Sequence, residues 1–278
     1  MILSYLLSTT KTSIMKYIFC TALVFLLLIG CSQTGAAESE SALAKAEAAL
    51  ATAEAAIAEA KVAIAEAKSV MAKATAEKWT PLFDGESLAG WSVPVYGGDG
   101  EVDVQEGNIV IGRGEQMTGI RYEKEFPKVD YEIRYEARRT GGYDFFAACT
   151  FPVNESFCTF INGGWGGGTV GLSSINGCDA SENETSTYFD FKDNTWYRFR
   201  MQVTADRIQI GITPHDKEGN WLTENSLVDL EVSDDTRCST RMEVDQYKPL
   251  GFCTWSTEGQ LRNIEYRTGV RGLTPSAR

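Results

Sequence analysis

Two hydrophobic periods divide the chain. From Ser41 to Lys78, large apolar residues recur every seven positions at Leu43, Leu50, Ile57, Ile64 and Met71, and three places after each comes Ala46, Ala53, Ala60, Ala67 or Ala74. Five such heptads, free of Gly and Pro and built from Ala, Glu and Lys, predict a long helix whose alanine seam lets a second helix approach closely. At ~1.5 Å per residue the segment would extend roughly 57 Å, the length of a stalk. Beyond Lys78 the period falls to two. Val129, Tyr131, Ile133, Tyr135 and Ala137 alternate with charged residues, Trp196 to Val203 and Ile208 to Ile212 do the same, and turn formers such as Thr140-Gly141-Gly142 and Lys217-Glu218-Gly219-Asn220 separate the runs. About a dozen short strands without a helix among them predict an all-β domain, folded as a two-layer antiparallel sandwich.

The N-terminus carries a third pattern. Lys11 and Lys16 precede an uncharged apolar run, Tyr17 to Ile29, too short for a membrane span of about 20 residues but suited to the core of a signal peptide. It ends in Leu28-Ile29-Gly30-Cys31, the form of a bacterial lipobox, in which the cysteine thiol takes up diacylglycerol before cleavage. Met15-Lys16 would make a more usual lipoprotein start, and Ser32 after the cysteine suits sorting to the outer membrane. The expected organisation is a signal peptide over 1–30, a linker over 31–40, the helical stalk over 41–78 and the β domain over 79–278, on a protein lipid-anchored in the bacterial envelope. The stalk is a candidate for self-association. Glu47, Glu54, Lys61 and Lys68 share one flanking heptad position, and their signs suit an antiparallel pair. Two anchors in one leaflet require parallel helices, and the covalent anchor outweighs exposed ion pairs worth under about 1 kcal/mol each.

Charge and residue counts narrow the chemistry. Residues 1–78 hold seven basic and seven acidic side chains, so the net charge of -12 belongs to the β domain. An acidic surface without a basic run excludes a nucleic-acid partner. His215 is the only histidine. A zinc site with two or more imidazoles is therefore excluded, and a Ser-His-Asp triad has one candidate base, beside Pro214 at a hairpin tip where a surface role is expected. Setting aside Cys20 in the signal and Cys31 at the lipid site leaves Cys149, Cys158, Cys178, Cys238 and Cys253. If Phe151 to Ser156 turns a hairpin with 151 opposite 156, Cys149 and Cys158 face each other, and export favours a disulfide between them. Cys253 is expected as a buried thiol in a core strand.

The domain's two ends carry a resemblance. The opening Trp79-Thr-Pro-Leu-Phe-Asp-Gly-Glu-Ser-Leu-Ala-Gly-Trp91 resembles the start of 3-keto-disaccharide hydrolase-like domains, and Leu261-Arg-Asn-Ile-Glu-Tyr-Arg267 resembles their last strand. Asn194-Thr-Trp-Tyr-Arg198 and Ile208 to Ile212 are similar to the family's late paired strands. The resemblance implies a concanavalin-like jelly roll, a fold shared by glycan hydrolases and lectins, and a hydrolase acting on 3-keto-disaccharides or related glycosides. The middle departs from the family's commonest core: Gly163-Gly-Trp-Gly-Gly-Gly-Thr-Val-Gly-Leu-Ser-Ser174 and Gly177-Cys-Asp-Ala-Ser-Glu-Asn-Glu-Thr185 stand there instead.

Candidate chemistry gathers in that departure. Trp165, set among five glycines, offers either a flat platform for the C–H face of a pyranose or a plug that folds back on the core. Trp221 is a weaker candidate, and Trp255 reads as core. Asp179, Glu182 and Glu184 crowd the following loop, and Asp144 follows a Gly-Gly turn. Glycosidases use two carboxyl groups about 5 to 9 Å apart, so Asp179, Glu182 and Glu184 are candidate catalytic residues; Trp165, Asp144 and Asn183 are candidate substrate contacts. The same loop also reads as a solvated acidic turn held by Ser181 and Asn183. Oxygen-rich stretches such as Asp99-Gly-Glu-Val-Asp103 suit a structural calcium ion, although neither loop has a recognised ligand spacing. Two functions stay open: a glycan-cleaving enzyme, and a carbohydrate-binding or scaffold protein without turnover.

Overall fold

The computed structural model describes residues 36–76 and 78–270. Residues Ala36–Ala76 form one helix, α1, which starts ahead of the first heptad. Leu50, Ile57 and Ile64 of the heptad series are more than half exposed along it, as is Val62. Among the described residues no helix is long and apolar enough to cross a membrane. The signal run and Cys31 lie outside the described residues.

Residues beyond the helix build two antiparallel sheets. The first is ordered β13 (Asn225–Glu231), β12 (Arg207–Pro214), β11 (Tyr197–Val203), β6 (Tyr131–Gly141), β15 (Glu258–Thr268), β4 (Asn108–Ile111) and β3 (Val102–Gln105), with β1 (Thr80–Pro81) also paired to β15. The second is ordered β10 (Thr187–Tyr188), β9 (Thr169–Ser173), β8 (Ser156–Gly163), β7 (Ala148–Val153), β14 (Gly251–Trp255), β5 (Met117–Tyr122) and β2 (Trp91–Ser92). The expected sandwich is therefore observed, and its core follows from the period of two. On β6, Tyr131, Ile133, Tyr135 and Ala137 are fully buried and point at the opposite sheet. There the Tyr135 ring stacks on Phe199 at 5.1 Å and meets the edge of Phe252 at 4.8 Å.

The hairpin of β7 and β8 corrects one expectation. It closes at Val153↔Ser156 around a two-residue turn, Asn154-Glu155, with Asn154 at φ 53°. Cys149 consequently faces Phe160 and Cys158 faces Phe151, and both thiols are free. The hairpin with 151 opposite 156 would have placed Pro152 in the loop. Instead it lies within β7, one place from the closing pair and past the point where the β14 ladder ends at Gly251↔Thr150. A proline at such a position removes no ladder hydrogen bond. Cys253 is a buried thiol on β14.

Candidate active site

A pocket of about 270 Å³ opens on the outer face of the second sheet. Strand alternation supplies its floor. On β8, Phe160 points inward to the core while Thr159 and Ile161 point outward; on β14, Phe252 goes in and Trp255 goes out. Met117 of β5 and Ser173 of β9 complete that floor. Trp255 is thus no core residue: it is half-buried in the pocket wall, 6.3 Å from the Phe145 ring.

Trp165 forms the rim on one side and is 50% exposed, which favours the platform over the plug. It sits in a short turn, Gly164–Gly167, with φ 47° and ψ 53°. A non-glycine residue in this left-handed region costs roughly 1–2 kcal/mol, and its neighbours hold it there. Gly166 at φ 90° continues a backbone path few other residues would take, and Gly168 packs so closely that a Cβ would lie 2.1 Å from the Tyr188 ring. Asp144 fastens the turn from the side. Its Oδ2 accepts the Gly166 N–H at 3.3 Å, its Oδ1 accepts the Phe145 N–H at 2.8 Å, and its own N–H donates to Thr257 Oγ1 at 3.0 Å. Asp144 and Trp165 therefore share the pocket.

The opposite rim was not anticipated. Arg241 and Val244 line it together with Glu243, in the irregular stretch that ends in a 3₁₀ turn, Met242–Tyr247. Arg241 Nη2 and Nε approach Glu243 at 3.3 and 3.4 Å, and Nη1 donates to Asp179. The Glu243 carboxyl is held below the usual carboxylate range, first by its own backbone N–H and then by Arg241. It is ionised at neutral pH and so is equipped to accept a proton, not to give one.

The acidic loop divides. Asp179 stands behind the pocket wall, its carboxylate bound by Arg241 and by the hydroxyls of Ser173 and Ser174 at 3.0 and 3.3 Å. Glu182 and Glu184 are exposed and do not line the pocket. Asn183 is tied into the loop: its Nδ2 donates to the carbonyls of Leu172, Cys178 and Asp179 at 2.7 to 3.0 Å, and its Oδ1 accepts from the Thr185 N–H and hydroxyl. His215 packs against Trp221, with ring centroids 4.0 Å apart and ring planes tilted by 45°. Asp99 uses its carboxylate on the N–H groups of Tyr96 and Gly97. Among the described residues, no group of three or more His, Cys, Asp or Glu is placed to hold a metal ion.

The model of the 3-keto-alpha-glucoside-1,2-lyase-like domain matches residues 78–267, from the Trp79 opening to the Arg267 close. The chain belongs to this family. Among curated proteins, none matches its sequence. Solved structures similar to this lyase-like domain include a candidate glycosyl hydrolase from Parabacteroides distasonis, at 14% identity and TM-score 0.43 over 71% of this chain and 96% of that one. The Crh5 transglycosylase in complex with NAG has 11% identity and TM-score 0.43 over 71% and 86% of the two chains. The lectin UEA-II complexed with galactose has 10% identity and TM-score 0.45 over 69% and 98%.

Proposed function

We propose that the lyase-like domain binds a 3-keto-glycoside in the pocket between Trp165 and Arg241, and cleaves it with Glu243 as base. The observation that carries this reading is the Glu243–Arg241 pair: an ionised carboxylate and a guanidinium on one rim of a pocket whose other rim is an exposed tryptophan. The family's name describes a 1,2-elimination on a 3-keto glucoside. In that chemistry the hydrogen on carbon 2 is acidic because the ketone is adjacent. Glu243 would take this proton, the electron pair would form the double bond between carbons 1 and 2, and the aglycone would leave from carbon 1 and be protonated. Arg241 would stabilise the negative charge that builds on the keto oxygen. Hydrolysis by two carboxyls needs a protonated one, and the low-lying Glu243 is poorly suited to that task.

The sugar ring would lie on Trp165, with Asp144 positioning that side chain through Gly166. The lipobox-like Cys31 supports a chain anchored in the bacterial envelope, and the exposed heptad residues of α1 support parallel self-association of the helix as a coiled coil.

Turnover of 3-keto-glycosides by the purified chain, followed by product analysis, tests the proposal. An unsaturated sugar product supports elimination, a free 3-keto-sugar supports hydrolysis, and tight binding without turnover supports a carbohydrate-binding role. Glu243→Gln should lower kcat by about 10²- to 10⁴-fold and leave binding in place. Because the Glu243 carboxyl lies below its ordinary range, the acid limb of kcat/KM should fall only below the unperturbed glutamate value of about 4.3. A limb near neutral pH would remove Glu243 from the role of base.

A further inference from the structure

The irregular segment that carries Arg241 and Glu243 is joined to the second sheet close to two cysteines. Ser174 and Ser239 exchange backbone hydrogen bonds at 2.7 and 3.0 Å, and Cys238 forms a bridge with buried Ile175. The Ser156 hydroxyl donates to the Cys238 carbonyl at 2.7 Å, which sets Cys238 beside the start of β8. Cys158 of β8 belongs to the main core, and Cys238 packs against that same core. The two side chains meet in that core closely enough for each thiol to shift the other's ionisation, and neither is in a disulfide. Cys238 is half-buried and also lines a cleft of about 700 Å³, with Val153, Ser156, Asn176 and Arg237 among its walls.

We propose that Cys158 and Cys238 form a disulfide that staples the Arg241–Glu243 rim to β8. The co-reactant is a disulfide donor, either a dithiol oxidoreductase in its oxidised form or a small-molecule disulfide such as oxidised glutathione. Cys238 attacks one donor sulfur as its thiolate, after giving its proton to solvent, and one donor thiolate leaves. The Cys158 sulfur, losing its proton, then attacks the Cys238 sulfur and releases the second donor thiolate. The two protein thiols are oxidised, the donor disulfide is reduced to two thiols, and the protons end on solvent or donor. The order follows from environment: the neighbouring Cys158 thiol holds Cys238 below the usual thiol range, whereas burial pushes Cys158 well above it. Only Ser239 and Thr240 separate Cys238 from Arg241, so the bond would hold the rim near its position in the pocket wall. Exposed Cys178 lies on the other side of Ile175, paired to it across the Asn176-Gly177 turn, and stays outside the bond.

The test treats the reduced full chain with oxidised glutathione and maps the peptides without reduction. A linked pair containing Cys158 and Cys238 is expected, together with a rise in Tm of about 5 °C or more over the reduced chain. Cys238→Ser should abolish both the linked pair and the Tm rise. Should Cys158→Ser, at a buried position, fail to fold, Cys158→Ala and alkylation of Cys238 before oxidation give the same comparison. A bond from Cys238 to Cys178, a Cys178 bond between two copies, or no linked peptide in the folded oxidised chain would overturn the proposal. None of these outcomes depends on turnover, so a failure here is distinct from a failure of the glycoside reading.

Discussion

On the outer face of the first sheet, Trp196 lies between Arg138 and Arg262, whose guanidinium carbons are 4.7 and 3.9 Å from its ring centre. Trp79 is covered in the same way by Arg134 at 4.1 Å and Arg267 at 4.8 Å. Glu136, almost fully buried, accepts from Arg198 and Arg262 at 2.8 Å each. On the outer face of the second sheet, Trp165 has no such cover, and Arg241 alone answers two carboxylates. The contrast separates stabilising chemistry from available chemistry. A cleft of about 400 Å³ does open on the first face, but Arg134, Glu136, Arg198 and Glu265 in its walls are paired with one another or with their neighbours. Groups already satisfied by one another have little to offer a ligand, whereas the second face keeps a half-exposed aromatic surface, Trp165, at the mouth of its pocket.

The sharpest way to break this comparison is Glu136→Ala. It removes the carboxylate between two arginines and should cost about 3 kcal/mol in chemical denaturation, near the lower end for a broken buried pair because both arginines reach solvent. Sugar binding should not change; if it does, the first face is not merely structural. The same group gives a pH signature. Burial, the largest influence, raises the Glu136 pKa, but hydrogen bonds from Arg198 and Arg262 outweigh it and the net position is lowered. Its contribution is therefore complete above the unfolded value of about 4.3 and disappears as pH falls through the folded value. Wild type should lose more stability than Glu136→Gln over that acid interval.

Trp165→Ala should have the opposite profile, with a loss of about 1 kcal/mol or less in stability and a loss of about tenfold or more in sugar affinity by calorimetry. Stability lost with affinity retained would return Trp165 to the role of core plug. The smallest effect belongs to Asp229→Asn. Its partner Arg207 is exposed and the pair is screened, so the change should lie within about 0.5 kcal/mol and make no difference to binding.

The two faces were unequally legible in sequence. Alternation along β6 could be read from Tyr131, Ile133, Tyr135 and Ala137 because each inward aromatic or aliphatic side chain is followed by a charged residue. Trp165 and Asp144 could be read because glycines beside them announced unusual backbone. Arg241 and Glu243 carried no such announcement. Their segment has neither the period of a strand nor that of a helix, and the only signal was length: residues 232–250 form a long connection from the edge of the first sheet to the interior of the second. Trp255 was misread because alternation shows that a strand has two faces without saying which one meets the core. The Cys149–Cys158 pairing failed through a register shift, set by a two-residue turn, that moved each cysteine opposite a phenylalanine.

The single guanidinium shared by Asp179 and Glu243 also imposes a filter on cargo. With Asp144 on the far rim and Asp179 behind the wall, three carboxylates stand against one cation, leaving a formal excess of two negative charges at or just behind the lining of a pocket of about 270 Å³. A uronic acid or a phosphorylated sugar would approach against that field, whereas a neutral keto-sugar would not. Discrimination against anionic sugars should weaken as salt is added, because at physiological ionic strength the screening length is already about 8 Å. Neutral sugars should bind with little dependence on salt at all.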